Sequence, residues 1–450
     1  MKKKLLTLLA YAISFVSFLH AETYNIVKYG AVPDTSLLST KAVQKAIDSC
    51  WQNGGGQVLV PAGSYKIGSI ILRSHVNIHL EKGVTLYGST NLEDYIKIKP
   101  DYLSLRTQTT TIQLFYAEKV EDVTIDGYGT IDGRGRSFKK MDFNDEGITR
   151  PHLIRFINSR DITVKDITLK NSACWMQHYL ACDKVYLKGL KIINRSNYNN
   201  DAIDLDGCHE VVVSDIISDT DDDGITLKST SPRLCENIVI SNCVVSSRCN
   251  AIKLGTETTG GFKNIVISNC VVKPSYNQEP TFYGLSNGFS AIALEIVDGG
   301  TLENVNVSNI LIEGTESPIF IRLGNRARPY IAGHAVTHVG TLKDVYLSNI
   351  TVNHAGQTGS SITGLPEHPV ENIVLSNITI IQKGGCGKIA APTDEKETAY
   401  PEATMWGILP ASGFFVNHAR HVVFKDVNVY TEELDERPDF YFLDTAPVPK

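Results

Sequence analysis

The sequence IVISNC occupies residues 238–243 and occurs again, unchanged, at residues 265–270. Both copies follow one pattern: apolar-x-apolar, then a polar pair, then another apolar position. Apolar residues at every second position are typical of β-strands, in which successive side chains point to opposite faces. A strand pattern that returns after about 27 residues is typical of a solenoid, in which each copy forms one turn of a coil.

The same pattern recurs about ten times along the chain. Successive copies start roughly 23 to 28 residues apart, or about 40 or more where longer segments intervene. The copies begin at Val123, Ile162, Val185, Val211, Ile238, Ile265, Val305, Val345, Ile373 and Val422. Each copy is too short for a pair of helices and is rich in Val, Ile and Thr, which favour strands. The sequence therefore predicts an all-β fold, a right-handed parallel β-helix.

The first residues have a different character from the repeats. Residues 1–21 have a basic start and an apolar run that is too short to span a bilayer, which is typical of a secretory signal peptide. No later segment looks transmembrane, and no break in composition divides the remainder. We therefore expect a signal peptide at 1–21, a single β-helix domain at 22–450, and a periplasmic or secreted protein.

A short amphipathic helix is predicted before the first repeats. Ser39 or Thr40 is placed to cap a helix from Lys41 to about Trp51, and glycines 54–56 end it. A solenoid needs a cover over its first turn, because that turn has no preceding neighbour. We expect this helix to provide it.

Composition excludes some classes of function. A formal net charge of -6 argues against a nucleic-acid-binding protein, which would show a basic face. The nine cysteines include no spacing typical of zinc sites, so no metal or cofactor is expected. Cys243 and Cys270 lie inside strand patterns and are expected to be buried, whereas three others flank turns and are placed to pair: Cys208, Cys235 and Cys249. The chain is expected to act as a monomer.

Asparagine occupies one turn position in five copies. These residues are Asn242, Asn269, Asn309, Asn349 and Asn377. Their shared position predicts stacked side-chain amides that satisfy the backbone at a tight turn.

Each turn also contains a second strand, and its alternation assigns the side chains to faces. Aliphatic residues point into the core, and the outward positions read, turn by turn, Asp204, Asp206, Thr226, Lys228, Lys253, Ala293, Glu295, Phe320 and Arg322. A column of alternating acids and bases suits a sugar chain. Longer inserts between strands, which are able to wall off such a groove, fall at about 95–112, 134–150, 274–289, 324–341 and 383–418.

Three aspartates lie at the start of consecutive second strands. Asp201 precedes one strand, and Asp222 and Asp223 precede the next, about one turn later. Stacking of the turns would bring the three carboxylates together. Hydrolysis of a glycosidic bond requires two carboxyl groups, one that donates a proton and one that is ionised. Mutual repulsion among neighbouring acids raises the pKa of one and leaves the others ionised.

These residues resemble glycoside hydrolase family 28, the polygalacturonase and rhamnogalacturonan hydrolase group. The motif NNDAID at residues 199–204 is similar to the family motif NTDGID, and DDDGITLKS at 221–229 is similar to GDDCIAIKS. The segment SACWMQH at 172–178 also resembles the family. The resemblance implies a right-handed β-helix and hydrolysis with inversion, without a metal. It implies Asp222 as the general acid, and Asp201 and Asp223 as the residues that hold and deprotonate water.

Two positions depart from the family pattern. Asn250 replaces the family histidine, and Ala293-Leu294-Glu295 replaces the Arg-Ile-Lys motif that binds a galacturonate carboxylate. The substrate is therefore expected to be a pectic polysaccharide or oligosaccharide of the galacturonan or rhamnogalacturonan type, bound in a different way. The predicted substrate-binding residues are Asn250, Lys228, Lys253, Glu295, Arg322, Trp175 and His178.

Two other functions remain open. A polysaccharide lyase on the same scaffold would use a base beside a uronate carboxylate, often with Ca²⁺, which the aspartates are able to bind. A carbohydrate-binding protein that has lost catalysis is the other alternative, because the family histidine and cation pair are absent.

Overall fold

The computed structural model describes residues 23–141, 145–276, 284–285 and 287–446. Its strands pair in parallel with the strands one turn before and one turn after them, so the turns stack along a single axis. The predicted right-handed parallel β-helix is confirmed. The predicted signal peptide lies outside the described residues. Within the described ranges, no helix is long and apolar enough to cross a membrane.

The strands form three parallel stacks around one apolar core. The site stack contains Ile70–Ile71, Gln113–Glu118, His152–Ile157, Gln177–Leu180, Ile203–Asp206, Ile225–Ser229, Asn250–Thr258, Ser290–Ile296, Ser317–Leu323, Ser360–Thr363, the start of Phe414–Glu433, and Phe440–Thr445. The second stack contains Thr23–Asn25, Gly56–Val60, Val76–Leu80, Glu121–Gly127, Arg160–Lys165, Asp183–Lys188, His209–Ser214 and Cys235–Ser241. The third contains Gly63–Ile67, Val84–Gly88, Thr130–Asp132, Thr168–Lys170, Lys191–Asn194, Ile217–Thr220 and Val244–Ser247. In the later turns, five long, continuous strands prolong the second and third stacks together: Gly261–Pro274, Thr301–Glu313, Thr341–Ala355, Val370–Gly384 and Phe414–Glu433.

The helix Thr40–Gln52 covers the first turn, as predicted. It buries one apolar stripe: Ala42, Val43, Ala46, Ile47 and Cys50. Ser39 occupies the N-cap position without a side-chain capping bond, whereas Thr40 Oγ1 accepts a hydrogen bond from the Gly68 backbone N–H at 2.7 Å. Gly55 follows the helix with a φ of +99°, and a Cβ there would lie 2.3 Å from the His75 carbonyl oxygen. Short 3-10 helices are Ile26–Tyr29, Leu92–Asp94, Leu105–Thr107 and Gly135–Ser137.

The five turn asparagines form the predicted ladder. From Asn269 onward, each side-chain amide donates to the asparagine oxygen one turn earlier, at 3.4 Å from Asn269 to Asn242 and 2.8 Å from Asn377 to Asn349. All five have φ between +51° and +57°, a conformation that asparagine tolerates better than most residues. The ladder therefore satisfies amides at a turn where the backbone is left-handed.

The state of the cysteines contradicts the expectation that three of them pair in disulfides. All nine are free and buried, so the pairing of Cys208, Cys235 and Cys249 is wrong. The thiol of Cys208 donates to the Tyr179 carbonyl oxygen, and that of Cys235 donates to the Leu205 carbonyl oxygen. These cysteines fill the core as small apolar residues with a weak donor.

Between its first and last strands, the site stack has an outward face that is mostly buried, whereas the last strand, Phe440–Thr445, is partly exposed. Every residue of Ser290–Ile296 and Ser317–Leu323 is buried, on both faces of the strand. Ala293 and Phe320 pack against Ala403 of the 383–418 insert. The inserts therefore fold over the strands and enclose the surface on which the predicted site residues lie.

Candidate active site

A cavity of about 630 Å³ lies over the middle of the site stack. The strands and the turns before them contribute Trp175, Asn199, Asp201, Asp222, Asp223, Lys228, Cys249, Asn250, Lys253, Thr256 and Glu257. Each of the five inserts adds at least one side chain: Arg106, Glu146, Phe289, Arg328, and then Tyr400, Glu402 and Thr404. Seven of the ten predicted site residues therefore line one enclosed space.

The three aspartates meet because consecutive turns are in register. The strand after Asp201 pairs with the strand after Asp223, with Ile203 opposite Ile225. The Ala202 backbone N–H donates to the Asp223 carbonyl oxygen at 3.1 Å, so the acidic segments lie side by side. The side chains of Asp201 and Asp223 are nearly buried, while that of Asp222 is partly exposed to the cavity.

Asp223 is held as an anion. Its Oδ1 accepts hydrogen bonds from the backbone N–H of Asn250 at 3.1 Å and from Asn250 Nδ2 at 2.9 Å. Its Oδ2 lies 3.1 Å from Lys253 Nζ. Burial opposes ionisation, but the charges of Lys253 and Lys228 and these hydrogen bonds hold the pKa of Asp223 below its ordinary value. Asp223 is thus ionised across the range in which most proteins work.

Asp222 has the opposite character. Burial, and next the negative charge of Asp223, raise the pKa of Asp222 to about 6. Its Oδ1 accepts one hydrogen bond, from the backbone N–H of Asp223 at 2.9 Å. Two adjacent carboxyl groups therefore differ in protonation at mildly acidic pH, which is the property that an acid and base pair needs.

Asp201 shares a cation with its neighbours. Lys228 Nζ lies 3.8 Å from Asp201 Oδ2 and 3.4 Å from Asp204 Oδ1. Burial, and then the charges of Asp204 and Asp222, raise the pKa of Asp201 well above its ordinary value. Burial also raises the pKa of Asp204 to about 7. These two acids therefore share protons with each other at neutral pH and hold less negative charge than Asp223.

Glu257 is a buried anion that the sequence analysis missed. Its carboxylate contacts Arg106 Nη2 at 2.5 Å, Arg328 Nη2 at 2.9 Å and Lys228 Nζ at 3.8 Å. Burial opposes its ionisation, but these cations hold the pKa of Glu257 well below its ordinary value. The pairing of this strand with Ile225–Ser229 is irregular between Leu254 and Thr258, and Thr256 and Glu257 both line the cavity, so simple alternation does not identify Glu257.

The 383–418 insert forms the wall opposite the aspartates. Lys253 Nζ lies 3.5 Å from the Tyr400 hydroxyl and 5.7 Å from the centre of its ring. Burial raises the pKa of Glu402 to about 7, and the charge of Lys253 lowers it less than burial raises it. No sequence pattern marks Tyr400 or Glu402, because inserts lack the alternation that assigns faces to strand residues.

The structure leaves three predicted substrate-binding residues outside this cavity. Arg322 donates to the carbonyl oxygens of Gly364 at 3.0 Å and Glu395 at 2.6 Å, and its guanidinium lies 5.0 Å from the Trp406 ring centre. It therefore anchors the 383–418 insert. Glu295 is fully buried, and burial raises its pKa to about 8, so it presents no anion to a ligand at neutral pH.

His178 is the third predicted substrate-binding residue that lies outside this cavity. Its Nε2 lies 3.2 Å from Asp206 Oδ2, and its side chain is fully buried. Burial lowers the pKa of His178 to about 4, despite the hydrogen bond to Asp206. It lines a smaller neighbouring pocket. Trp175 lines both spaces, with its ring 4.8 Å from Lys228 Nζ.

One group of possible metal ligands occurs among the described residues. Oxygens of Asp222 and Asp223 and the sulfur of Cys249 lie within 4.8 Å of one another. Burial raises the pKa of the Cys249 thiol well above its ordinary value, and Asp223 already binds Lys253. Ca²⁺ prefers six to eight oxygen ligands. This set does not fit a calcium ion, which lyases often use.

Two curated relatives match part of the chain. A probable polygalacturonase of Vitis vinifera is 31% identical over 219 residues, which cover 46% of this chain and 45% of that protein. An exo-poly-alpha-D-galacturonosidase of Dickeya chrysanthemi is 35% identical over 159 residues, which cover 33% of this chain and 25% of that protein. The chain therefore spans about half, or less, of the length of these relatives.

A solved structure shows the same fold. The hyperthermoactive exopolygalacturonase from Thermotoga maritima has a TM-score of 0.66 and 22% identity, and the match covers 80% of this chain and 87% of that chain. The family model of Glycosyl hydrolases family 28 matches residues 50–398, which is well over half of the chain. The protein is therefore a member of glycosyl hydrolases family 28.

Proposed function

We propose that this protein is a glycoside hydrolase that cleaves pectic polysaccharides or oligosaccharides with inversion at the anomeric carbon. One observation carries the proposal: Asp222 and Asp223, adjacent in one cavity, have pKa values displaced in opposite directions. The names of the two curated relatives support a galacturonan-type substrate. The acids that would carry out the reaction are Asp222, Asp223 and Asp201.

In this mechanism, protonated Asp222 donates its proton to the departing glycosidic oxygen. Asp223, kept ionised by Lys253 and Asn250, takes a proton from the attacking water. Asp201 accepts the second hydrogen bond of that water and positions it. The C–O bond to the leaving sugar breaks as the bond from water to the anomeric carbon forms. The protons then return through solvent, and no metal is required.

The closest oxygens of Asp222 and Asp223 lie within 4.8 Å. Inverting pairs are usually about 6.5–9.5 Å apart, and a pair near 5 Å is typical of retaining enzymes. In the proposed mechanism the attacking water is therefore held by Asp223 together with the third acid, Asp201, and not between Asp222 and Asp223. The anomer formed first is the measurement that decides this point.

The walls of the cavity support a preference for short chains or chain ends. All five inserts reach the cavity, so their side chains narrow the groove along which a sugar chain would extend. The exo-acting relative agrees with this preference. We also propose that a monomeric β-helix domain at 22–450 acts in the periplasm or outside the cell, after removal of residues 1–21, on the composition of that segment.

The test is incubation with a panel of pectic oligosaccharides, followed by NMR of the first-formed anomer. We expect saturated products with inverted configuration. Asp222→Asn should lower turnover by about 10²–10⁴-fold, because an amide does not donate an acidic proton. Asp161→Asn is the matched control: this aspartate lies on the second stack at φ +55°, which asparagine tolerates. Unchanged turnover in Asp222→Asn, or unsaturated ultraviolet-absorbing products, would refute the proposal.

A further inference from the structure

A second, smaller cavity of about 240 Å³ adjoins the catalytic cavity, on the side of the earlier turns. The two cavities share Arg106, Glu146, Trp175 and Arg328. The smaller one is otherwise lined by residues of the first two inserts and of the strands His152–Ile157 and Gln177–Leu180. We call it the arginine pocket, after its three arginines: Arg106, Arg155 and Arg328.

Arg155 is a buried cation without a carboxylate partner. Its side chain is 1% exposed, and it donates to Thr111 Oγ1 at 2.6 Å and to the Arg106 carbonyl oxygen at 2.8 Å. Its Nε has no hydrogen-bond partner among the described residues, and no described carboxylate lies within ion-pair distance. Burial lowers its pKa to about 10, so it stays charged at neutral pH. An uncompensated buried charge is costly, and an incoming anion would relieve that cost.

The other groups in the pocket donate hydrogen bonds more than they accept them. Arg106 and Arg328 both contact Glu257, and each retains an Nε without a partner in the described structure. The imidazoles of His152 and His178 lie 6.0 Å apart, each with an unpartnered buried Nδ1. Burial lowers the pKa of both, so at neutral pH they carry no charge. His178 Nε2 donates to Asp206, which leaves its Nδ1 as an acceptor, so the donors of this pocket are its arginines.

Two acids lie close enough to the arginine pocket to affect its charge, Asp206 and Glu146. Asp206 raises the pKa of Arg155 through its charge, but its oxygens are already bound by His178 and by the backbone N–H and hydroxyl of Thr230. Glu146 lines the pocket and opposes an incoming anion. Arg106 and Arg328 share the single carboxylate of Glu257, and Arg155 forms no ion pair among the described residues, so the pocket suits a ligand group with a single negative charge.

We propose that the arginine pocket binds the carboxylate of a uronate unit of the substrate, next to the sugar at the aspartates. The proposal rests on the proposed function and adds the place where the acidic sugar is recognised. Planar guanidinium groups bind carboxylates through two parallel hydrogen bonds. At the position of the family motif, Ala293 and Glu295 stand in place of cations. We therefore assign recognition of the carboxylate to the arginine pocket, to which Arg328 of the 324–341 insert also contributes.

The test is a calorimetric titration of the full chain with D-galacturonate and, separately, with neutral D-galactose. We expect galacturonate to bind at least tenfold more tightly. Arg155→Gln should remove most of this difference, and Arg160→Gln, an exposed arginine on the next strand, is the matched control. Glu146→Gln should strengthen galacturonate binding several-fold, because it removes the opposing charge.

A gain of affinity does not arise from misfolding, so Glu146→Gln decides the matter if Arg155→Gln fails to fold in a thermal unfolding measurement. Folded Arg155→Gln that binds galacturonate as the wild type does would overturn the proposal, and so would weaker binding by Glu146→Gln. Galacturonate binding without hydrolysis of any pectic substrate would overturn the proposed function and leave the pocket intact. Hydrolysis of a pectic substrate together with equal affinity for galacturonate and galactose would overturn the pocket proposal and leave the proposed function intact.

Discussion

Replacement of Asn250 by alanine should change the pH at which the protein is active. Asn250 Nδ2 donates to Asp223 Oδ1 at 2.9 Å, and the backbone N–H of the same residue donates to the same oxygen. Of these two bonds to Asp223, Asn250→Ala removes the one from the side chain and keeps the one from the backbone; it also removes the bond from the Ser290 hydroxyl. A hydrogen bond to a charged group contributes about 1.5–3 kcal/mol. Since one pKa unit corresponds to about 1.4 kcal/mol, the pKa of Asp223 should rise by about 1–2 units.

The sign follows from the roles of the two acids. Asp223 must be ionised to act as a base, so the acid limb of the pH profile of kcat/KM reports its pKa in the free enzyme. Loss of the amide raises that pKa and moves the acid limb upward by about 1–2 pH units. The alkaline limb reports Asp222, whose pKa is about 6, and should move little. The bell-shaped pH profile of kcat/KM therefore becomes narrower on its acid side.

The assay is a kcat/KM profile on a pectic oligosaccharide between about pH 3 and 8, with a thermal unfolding scan at each pH. Ser290→Ala is the matched control, because the Ser290 hydroxyl binds Asn250 Oδ1 and does not touch Asp223. It should move the acid limb much less than Asn250→Ala does. An acid limb that stays in place in folded Asn250→Ala would refute the assignment of Asp223 as the base.

Three further predictions concern stability. Glu295→Gln should raise the free energy of unfolding by on the order of 3 kcal/mol at pH 7. Burial raises the folded-state pKa of Glu295 to about 8, so folding at pH 7 must protonate a carboxylate that is ionised in the unfolded chain. Glutamine is neutral in both states and avoids this cost. Urea titration should show this gain disappear below about pH 4.5, where both states are protonated. Arg322→Met should expose the 383–418 insert to limited proteolysis, because the insert loses the hydrogen bond to the Glu395 carbonyl oxygen and the stacking on Trp406. A digestion pattern equal to that of the wild type would contradict the anchoring role. Asn309→Ala should lower the free energy of unfolding by about 1–2 kcal/mol, because it removes a central amide of the ladder at a residue with φ +56°. Asn309→Gly is the control, since glycine also lacks the amide but adopts positive φ without strain. Equal stability of the wild type and both variants would contradict the role of the ladder.

The coil and the meeting of its acids were predictable because both depend on a repeat. IVISNC at 238–243 and 265–270 fixes a strand at the same place in two turns, and parallel pairing sets Val239 opposite Val266. The same register brings Asp201 beside Asp223. Alternation also placed Lys228 and Lys253 on the outward face correctly, and both line the cavity.

The walls of the cavity and the partners of the outward-facing residues were not predictable, because they depend on inserts that have no repeat. Alternation shows that Arg322 leaves the core, but not that a distant insert supplies the carbonyl oxygen of Glu395 to meet it. For the same reason Tyr400, Glu402 and Arg106 reach the cavity without a signal in the sequence. Whether an outward residue meets solvent, ligand or another segment is decided by tertiary packing, which a local pattern does not contain.

The division between coil and inserts has an evolutionary consequence. The three aspartates lie on turns whose spacing is fixed by backbone pairing, whereas the cavity walls come from loops that are held at a few points, such as the bond from Arg322 to the Glu395 carbonyl oxygen. Loop length and composition are therefore free to drift while the reaction chemistry stays constant. Descendants of such a protein would acquire new sugar preferences by exchanging whole loops, each of which reaches the same reactive centre from its own direction.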